Sequence, residues 1–571
     1  MYRPVLDAVS GSLALTALVA MLPLLALFVL LGGLRMAAWK AALISLAVSL
    51  AVAMFAYGMP AGQALLAGTE GAAFGLFPIM WIVLNGIWIY NMTVVTGHSE
   101  VPRRSFAKVS DDQRIQAIIV AFCFGALLEA LAGFGTPVAI TSVMLIGLGF
   151  KPIKAAVVAL LANTAPVAFG SLAVPITTLA TVTGLPEHSL AQIVGRQTPL
   201  LALFVPMALV FVIDRWKGVR ETLPATLTGG ITFAVAQFAT ANFVSTQLTD
   251  IVAALAAGAS VVLLLRVWHP AGRYVEAPEA GTVASPVGTP ARTDARVGGS
   301  GSGPTGPSSG PAAEAGARDQ SHSDSSGEVL RAYAPYIIII VVFSLAALVT
   351  PVKDFLANRT VAFQWPGLDL LTAKGKPSAL PTFKFNWLAA AGTLLVFSGL
   401  LSIPFTGISA AKAFKAYLAT LDQLKFAIVT VMAVLGLAYV MNSSGQTGTL
   451  GIWMAGIGSA FAILSPILGW LGVAVTGSDT SSNSLFGALQ VSAATKVGLS
   501  PTLMAAANSS GGVLGKMISP QNLAIAAAAV GMSGKEGDIF RKVIGWSLGL
   551  LLVMCVLVFL QSTAVLSWML P

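Results

Sequence analysis

Charged and amide side chains stand where this sequence is otherwise most apolar. Glu129 falls in FGALLEALAGFGTP, Asn163 in ALLANTAPVAFG, Asp479 in TGSDTSSNSLFGALQ, and Asn508 and Lys516 in ANSSGGVLGKMISP. A charge at the centre of a bilayer costs about 2.5–3.5 kcal/mol on insertion scales, so such a side chain must be paired, hydrated or protonated. Each lies near a Gly or Pro that interrupts the helix ladder, and backbone opened at membrane depth survives only where it is buried in protein or lines a wet cavity. Exposed helix N-termini present unpaired N–H groups and the positive end of a dipole, which suit a carboxylate. Hydroxyls and amides both donate and accept, so they suit a hydroxyl beside that carboxylate. The chemistry these residues favour is reversible binding of a small anion.

On this reading Thr136, Asn163, Thr164, Ser478, Thr480, Ser481, Asn508, Ser509, Ser510, Lys516 and Gln521 are the substrate-binding candidates. Glu129, about one turn before the first break, is the candidate proton carrier, because a protonatable carboxyl is the economical way to keep an acid there. Asp479 is its rival, with capping of the following helix as its structural alternative. Lys516 either neutralises the substrate carboxylate or partners one of these acids. For any single Ser or Thr, close helix packing explains the residue equally well; the pairing of the clusters favours a site. Glu70, in LAGTEGAAFG, reads as interfacial, with Asn85 and Asn91 as weaker pathway candidates. Cys123 and Cys555 lack CxxC or Cys/His spacing and read as packing residues, so neither a metal nor another cofactor is expected.

Long helices must position these groups. The chain has 571 residues, 56% hydrophobic and 10% charged, with a mean hydropathy of +0.84, whereas soluble domains are about 25% charged. Many apolar stretches approach the roughly 20 residues a helix needs to cross a bilayer, and barrel strands are about half that length. The expected fold is an all-α polytopic membrane protein with about 11–14 transmembrane helices. The stretch at 12–33 is too long for a signal peptide and is followed by Arg35. The net charge of +9 comes from basic residues at the ends of apolar segments, which fits membrane topology better than nucleic acid. Examples are Arg35 and Lys40; Arg103, Arg104 and Lys108; Arg215, Lys217 and Arg220; and Lys412 and Lys415. If these face the cytoplasm, the N-terminus is outside. Residues 270–328, rich in Gly, Pro, Ala and Ser, read as a disordered linker between membrane halves 1–269 and 329–571.

The halves echo one another. Ala162, Asn163, Thr164, Gly170 and Pro175 recur, at the same spacing, as Ala507, Asn508, Ser509, Gly515 and Pro520. Upstream of each set lies a Gly-polar break, GFGTP at 133–137 and TGSDTSSN at 476–483. Interrupted segments at corresponding positions of two halves point to the binding site of a transporter.

EALAGFGTPVAI (129–140), GLGFKPIKAAVVALLANTAPVAFGSLAVPI (147–176), TGSDTSSNSLFGALQ (476–490) and AANSSGGVLGKMISPQNLAIA (506–526) together resemble the bacterial lactate permease family. Length and paired halves agree, while the long linker departs from the usual pattern. The resemblance implies a multi-pass secondary transporter of the bacterial cytoplasmic (inner) membrane that takes up L-lactate, and commonly D-lactate and glycolate, with protons. It also implies two inverted repeats containing broken or re-entrant helices, as in related carriers, some of which move as elevators and work as homodimers. The expected partners are a small 2-hydroxymonocarboxylate, a proton and the lipid bilayer, not nucleic acid. A channel would need a continuous pore, and an enzyme would need one of the HExxH, GxSxG, phosphate-loop or haem motifs that this sequence lacks. Within carriers the alternative is a sodium-coupled carrier of another small carboxylate, since broken-helix carbonyls beside Ser, Thr and Asn can also hold sodium.

Overall fold

The computed structural model describes residues 1–34, 36–98, 101, 109–131, 133, 135–276, 325–372, 375, 377, 378 and 380–571, most of them helical. Arg35, Arg103, Arg104, Lys108 and most of the 270–328 linker lie outside the described residues. Among the described residues nine helices are long and apolar enough to cross a membrane, or ten if the pair Pro152–Ala162 and Val167–Thr183, bent by 63°, counts as one span. That is fewer than the eleven to fourteen expected. Thr136–Gly147, Thr249–Leu264 and Ala391–Thr406 are apolar but only 12, 16 and 16 residues long, short of the roughly 20 a full crossing needs. A short antiparallel ribbon, Val361–Gln364 paired with Thr382–Phe385, departs from the all-α expectation; its β-branched and aromatic residues suit a pleated surface.

Two stretches share one order of elements. In the first half, helix Gly125–Leu131 breaks around Gly133 and Gly135, continues as Thr136–Gly147, turns into Pro152–Ala162, breaks again at 163–169 and resumes as Gly170–Thr183. In the second, Phe461–Thr476 breaks at 477–478, continues as Asp479–Val497, turns into Pro501–Gly515, breaks at 516–519 and resumes as Pro520–Ala529. At the first break of each set the chain doubles back. Gln113 Nε2 donates to Leu148 O at 3.1 Å, joining the start of the entering arm to the end of the returning one. Gln490 Nε2 likewise donates to Ser465 O at 3.1 Å, and a Cβ on Gly472 would collide with Ser482. Gly133 and Gly477 have φ of 53° and 75°, the left-handed region that glycine enters without a Cβ penalty.

Local sequence starts these helices cleanly. Ser478 Oγ accepts from Ser481 N and Ser519 Oγ from Asn522 N, each at 3.3 Å, satisfying N–H groups that would otherwise be orphaned. Small residues set the packing: a Cβ at Gly469 would strike Asn508 O, and one at Gly511 would strike Pro466 O, so helices Phe461–Thr476 and Pro501–Gly515 meet backbone to backbone. Every residue of the apolar window in Gln113–Leu131 is buried. This entering arm is therefore surrounded by protein rather than lipid, which is what permits polar groups on it.

One ion cluster anchors that arm. Arg114, 1% exposed, pairs with Asp112 at 2.7 Å, Asp214 at 2.9 Å and Glu221 at 2.6 Å, and donates to Gly272 O at 2.6 Å. Removing one member of a buried charge cluster strands the others, at a cost of about 3–5 kcal/mol. Arg114→Gln is expected to lower the Tm of the detergent-solubilised protein markedly; an unchanged Tm would show that the cluster does not support the arm.

Candidate functional site

Glu129 Oε1 accepts from Lys516 Nζ at 2.5 Å, across 387 residues of sequence. Its other oxygen, Oε2, accepts from Asn163 Nδ2 at 2.9 Å. The carboxylate comes from the entering arm of the first set, the amide from the second break of that set and the ammonium from the second break of the other. The two breaks therefore meet at one carboxyl. Gly170 completes the contact: a Cβ there would sit 2.8 Å from Glu129 Oε1, so any larger residue would push the pair apart.

Glu129 and Lys516 border a cavity of about 1070 Å³ that also touches Ser171, Pro175, Ser478, Asp479, Thr480, Ser481 and Gln521. Helices Asp479–Val497 and Pro520–Ala529 begin at this cavity, as does the regular part of Gly170–Thr183. Their positive dipole ends add to Lys516 in favouring an anion. The cavity lining also includes Met36, Trp39, Gly534, Glu536 and Phe540, next in sequence to the exposed Lys40, Lys535 and Arg541.

Asp479 is buried at the first turn of its helix, where Ser478 rather than Asp479 is the cap. Its Oδ2 accepts from Ser509 Oγ at 2.6 Å and from Asn483 Nδ2 at 3.4 Å. Oδ1 has no hydrogen-bond partner among the described residues and packs against Gly512. Behind it the amides form a chain: Asn508 Nδ2 donates to Asn483 Oδ1 at 2.8 Å, and Gln490 Nε2 to Asn508 Oδ1 at 2.6 Å. Connected buried amides rigidify what they hold, so these groups fix helix Asp479–Val497 against Pro501–Gly515.

The sequence candidates divide accordingly. Glu129, Ser478, Asp479, Thr480, Ser481, Lys516 and Gln521 line the cavity. Asn163 and Ser509 stand behind it, each on one of the two carboxyls. Asn508 faces the interior of the hairpin, and Thr164 bonds Leu161 O at 2.7 Å in its own turn. Ser510 is buried with no hydrogen-bond partner among the described residues. Thr136 is partly exposed at the start of the returning arm and does not line the cavity. None of these four lines the cavity. Glu70 is 0% exposed, because Gly68, Gly71 and Gly75 let its helix close against Ala410–Ser444, and it does not line the cavity. Asn85 donates to Trp81 O and Asn91 to Thr420, so neither lines the cavity.

Ser171, Asn483 and Gln490 were not singled out by sequence. A usable signal existed for Ser171, which follows Gly170 as Lys516 follows Gly515 in the repeated spacing. Ser171, Leu172 and Ala173 have φ of 47°, 55° and 60°, a left-handed turn that costs L-residues about 1–2 kcal/mol each. Such strain persists where the surroundings over-determine it, commonly at functional sites. Among the described residues no three His, Cys, Asp or Glu side chains gather where they could hold a metal ion.

Residues 16–565 match the family model of the L-lactate permease. The L-lactate permease of Bacillus subtilis (strain 168) is 40% identical over 582 aligned residues, covering 99% of this chain and 98% of that protein. The glycolate permease GlcA of Escherichia coli (strain K12) is 41% identical, covering 98% and 97%. An L-lactate permease of the same strain is 39% identical, covering 98% of each chain. Among solved structures, the Alcanivorax borkumensis YdaH transporter aligns over 86% of each chain at 13% identity with a TM-score of 0.41, a likeness too distant to bear on this site.

Proposed function

The chain belongs to the L-lactate permease family, a family of multi-pass membrane transporters, and from that premise we propose that it carries L-lactate, and also D-lactate and glycolate, together with protons across the cytoplasmic membrane. The observation that carries this reading is the Glu129–Lys516 pair, which joins the two halves at the cavity wall. Lys516 has one ammonium for two claimants. When Glu129 is ionised it holds Lys516; when Glu129 takes up a proton, the ammonium is released to a substrate carboxylate. The empty site (ammonium with Glu129 carboxylate) and the loaded site (ammonium with substrate carboxylate, Glu129 protonated) carry the same net charge. Neither form drags an unbalanced charge through the low-dielectric interior, and one proton travels with each substrate anion.

The shared order of helices and breaks supports two inverted repeats, 1–269 and 329–571, joined by the 270–328 linker. The exposed Lys40, Lys535 and Arg541, next in sequence to lining residues Trp39, Glu536 and Phe540, favour a cytoplasmic-facing conformer, by the excess of basic residues on that side of membrane proteins.

The direct test is uptake of labelled L-lactate into proteoliposomes under an imposed pH gradient or, separately, a sodium gradient. Accumulation driven by the pH gradient alone and competed by glycolate is the expected result. Accumulation that requires sodium would overturn the coupling ion, and absence of lactate uptake would overturn the substrate.

A further inference from the structure

We propose that Ser171 reads the 2-hydroxyl of the substrate, so that the carrier distinguishes 2-hydroxy acids from plain carboxylates of the same size. The inference rests on the lactate-carrier reading and deepens it. Ser171 and Lys516 occupy corresponding positions of the two repeated motifs, directly after Gly170 and Gly515, and both line the cavity. They also converge on one carboxyl. A Cβ on Gly133 would collide with Ser171 Oγ and lie 3.7 Å from Glu129 Oε1, the oxygen that Lys516 holds at 2.5 Å. The hydroxyl and the ammonium therefore both lie near Glu129 Oε1 on the wall of one cavity.

Ser171 Oγ has no hydrogen-bond partner among the described residues, although the side chain is only 5% exposed. A nearly buried hydroxyl left without a partner is a group awaiting one. A 2-hydroxycarboxylate supplies it: the carboxylate goes to Lys516 as Glu129 protonates, and the adjacent O–H exchanges a hydrogen bond with Ser171. The left-handed turn at 171–173 fixes that direction, since it re-aims Ser171 toward the cavity ahead of the regular helix. A site built to bond a substrate hydroxyl rejects analogues that lack it, because its own polar group is then stranded.

The test is exchange of labelled L-lactate in proteoliposomes at fixed pH, inhibited by unlabelled L-lactate, 2-fluoropropionate or propionate. Exchange needs no net proton movement, so coupling does not enter. The wild-type protein is expected to prefer L-lactate to both analogues. Ser171→Ala and Ser171→Gly, the latter at ease in a left-handed turn, are expected to shrink that preference by about three- to tenfold, the worth of one neutral hydrogen bond. Inhibition by propionate should stay constant. Unaltered preference in both variants would overturn the role of Ser171 while leaving the lactate reading intact, and so would equal weakening of all inhibitors, which marks a structural role. A wild-type protein that binds 2-fluoropropionate as well as lactate would also overturn it. Failure of the wild-type protein to exchange any 2-hydroxy acid would overturn the lactate reading and this inference with it.

Discussion

Glu129→Gln is expected to abolish accumulation of lactate driven by a pH gradient while leaving lactate-for-lactate exchange intact, with an apparent KM for exchange about tenfold lower than in the wild-type protein. Glutamine keeps the shape of the acid and its hydrogen bond with Asn163 but can neither ionise nor carry a proton. Lys516 then loses the carboxylate it holds, and the substrate no longer competes with that group. A charge-assisted hydrogen bond is worth about 1.5–3 kcal/mol, so removing the competitor should tighten binding by a factor of ten or more. Proteoliposome exchange and accumulation under an imposed pH gradient measure the two effects separately. A variant that still concentrates lactate against its gradient would move the proton to another group, with Asp479 and Glu536 the acids that remain on the cavity lining.

Glu129, Asp479 and Lys516 were legible because an ionisable group in an apolar run has few explanations. Their arrangement was not. That Lys516 pairs with Glu129 rather than Asp479 depends on how two breaks 387 residues apart are brought together, and no local spacing encodes that. Asn508 illustrates the converse: its motif matches that of Asn163, but Asn163 turns toward Glu129 and Asn508 toward Asn483 and Gln490. Composition identifies an amide at a break without saying which side of the helix faces the cavity. The burial of Glu70 was not legible either, because it depends on the close contact that Gly68, Gly71 and Gly75 allow with Ala410–Ser444. The span count ran high for a related reason: apolar runs as short as Thr136–Gly147 are buried arms that need not cross the membrane.

Lys516→Met is expected to abolish transport in every mode, exchange included, and to destabilise the protein by about 3–5 kcal/mol. Both effects come from one removal, and they separate in the double variant. Methionine fills much of the lysine stem but leaves Glu129, 3% exposed, with only Asn163 Nδ2 as a hydrogen-bond donor among the described contacts. An unpaired buried charge is the costly part of breaking such a pair, whereas neutralising both partners is close to neutral. Glu129→Gln combined with Lys516→Met should therefore regain most of the lost Tm and still transport nothing, because the substrate carboxylate has lost its ammonium while the fold has not lost its packing. Thermal unfolding in detergent and exchange in proteoliposomes provide the two readings on the same preparations. Recovered Tm with exchange still absent identifies Lys516 as a substrate ligand that Glu129 holds in reserve. Exchange that returns along with stability would instead make the pair a structural clasp between the two halves, and the anion would have to be held by the helix starts at Asp479 and Pro520 alone.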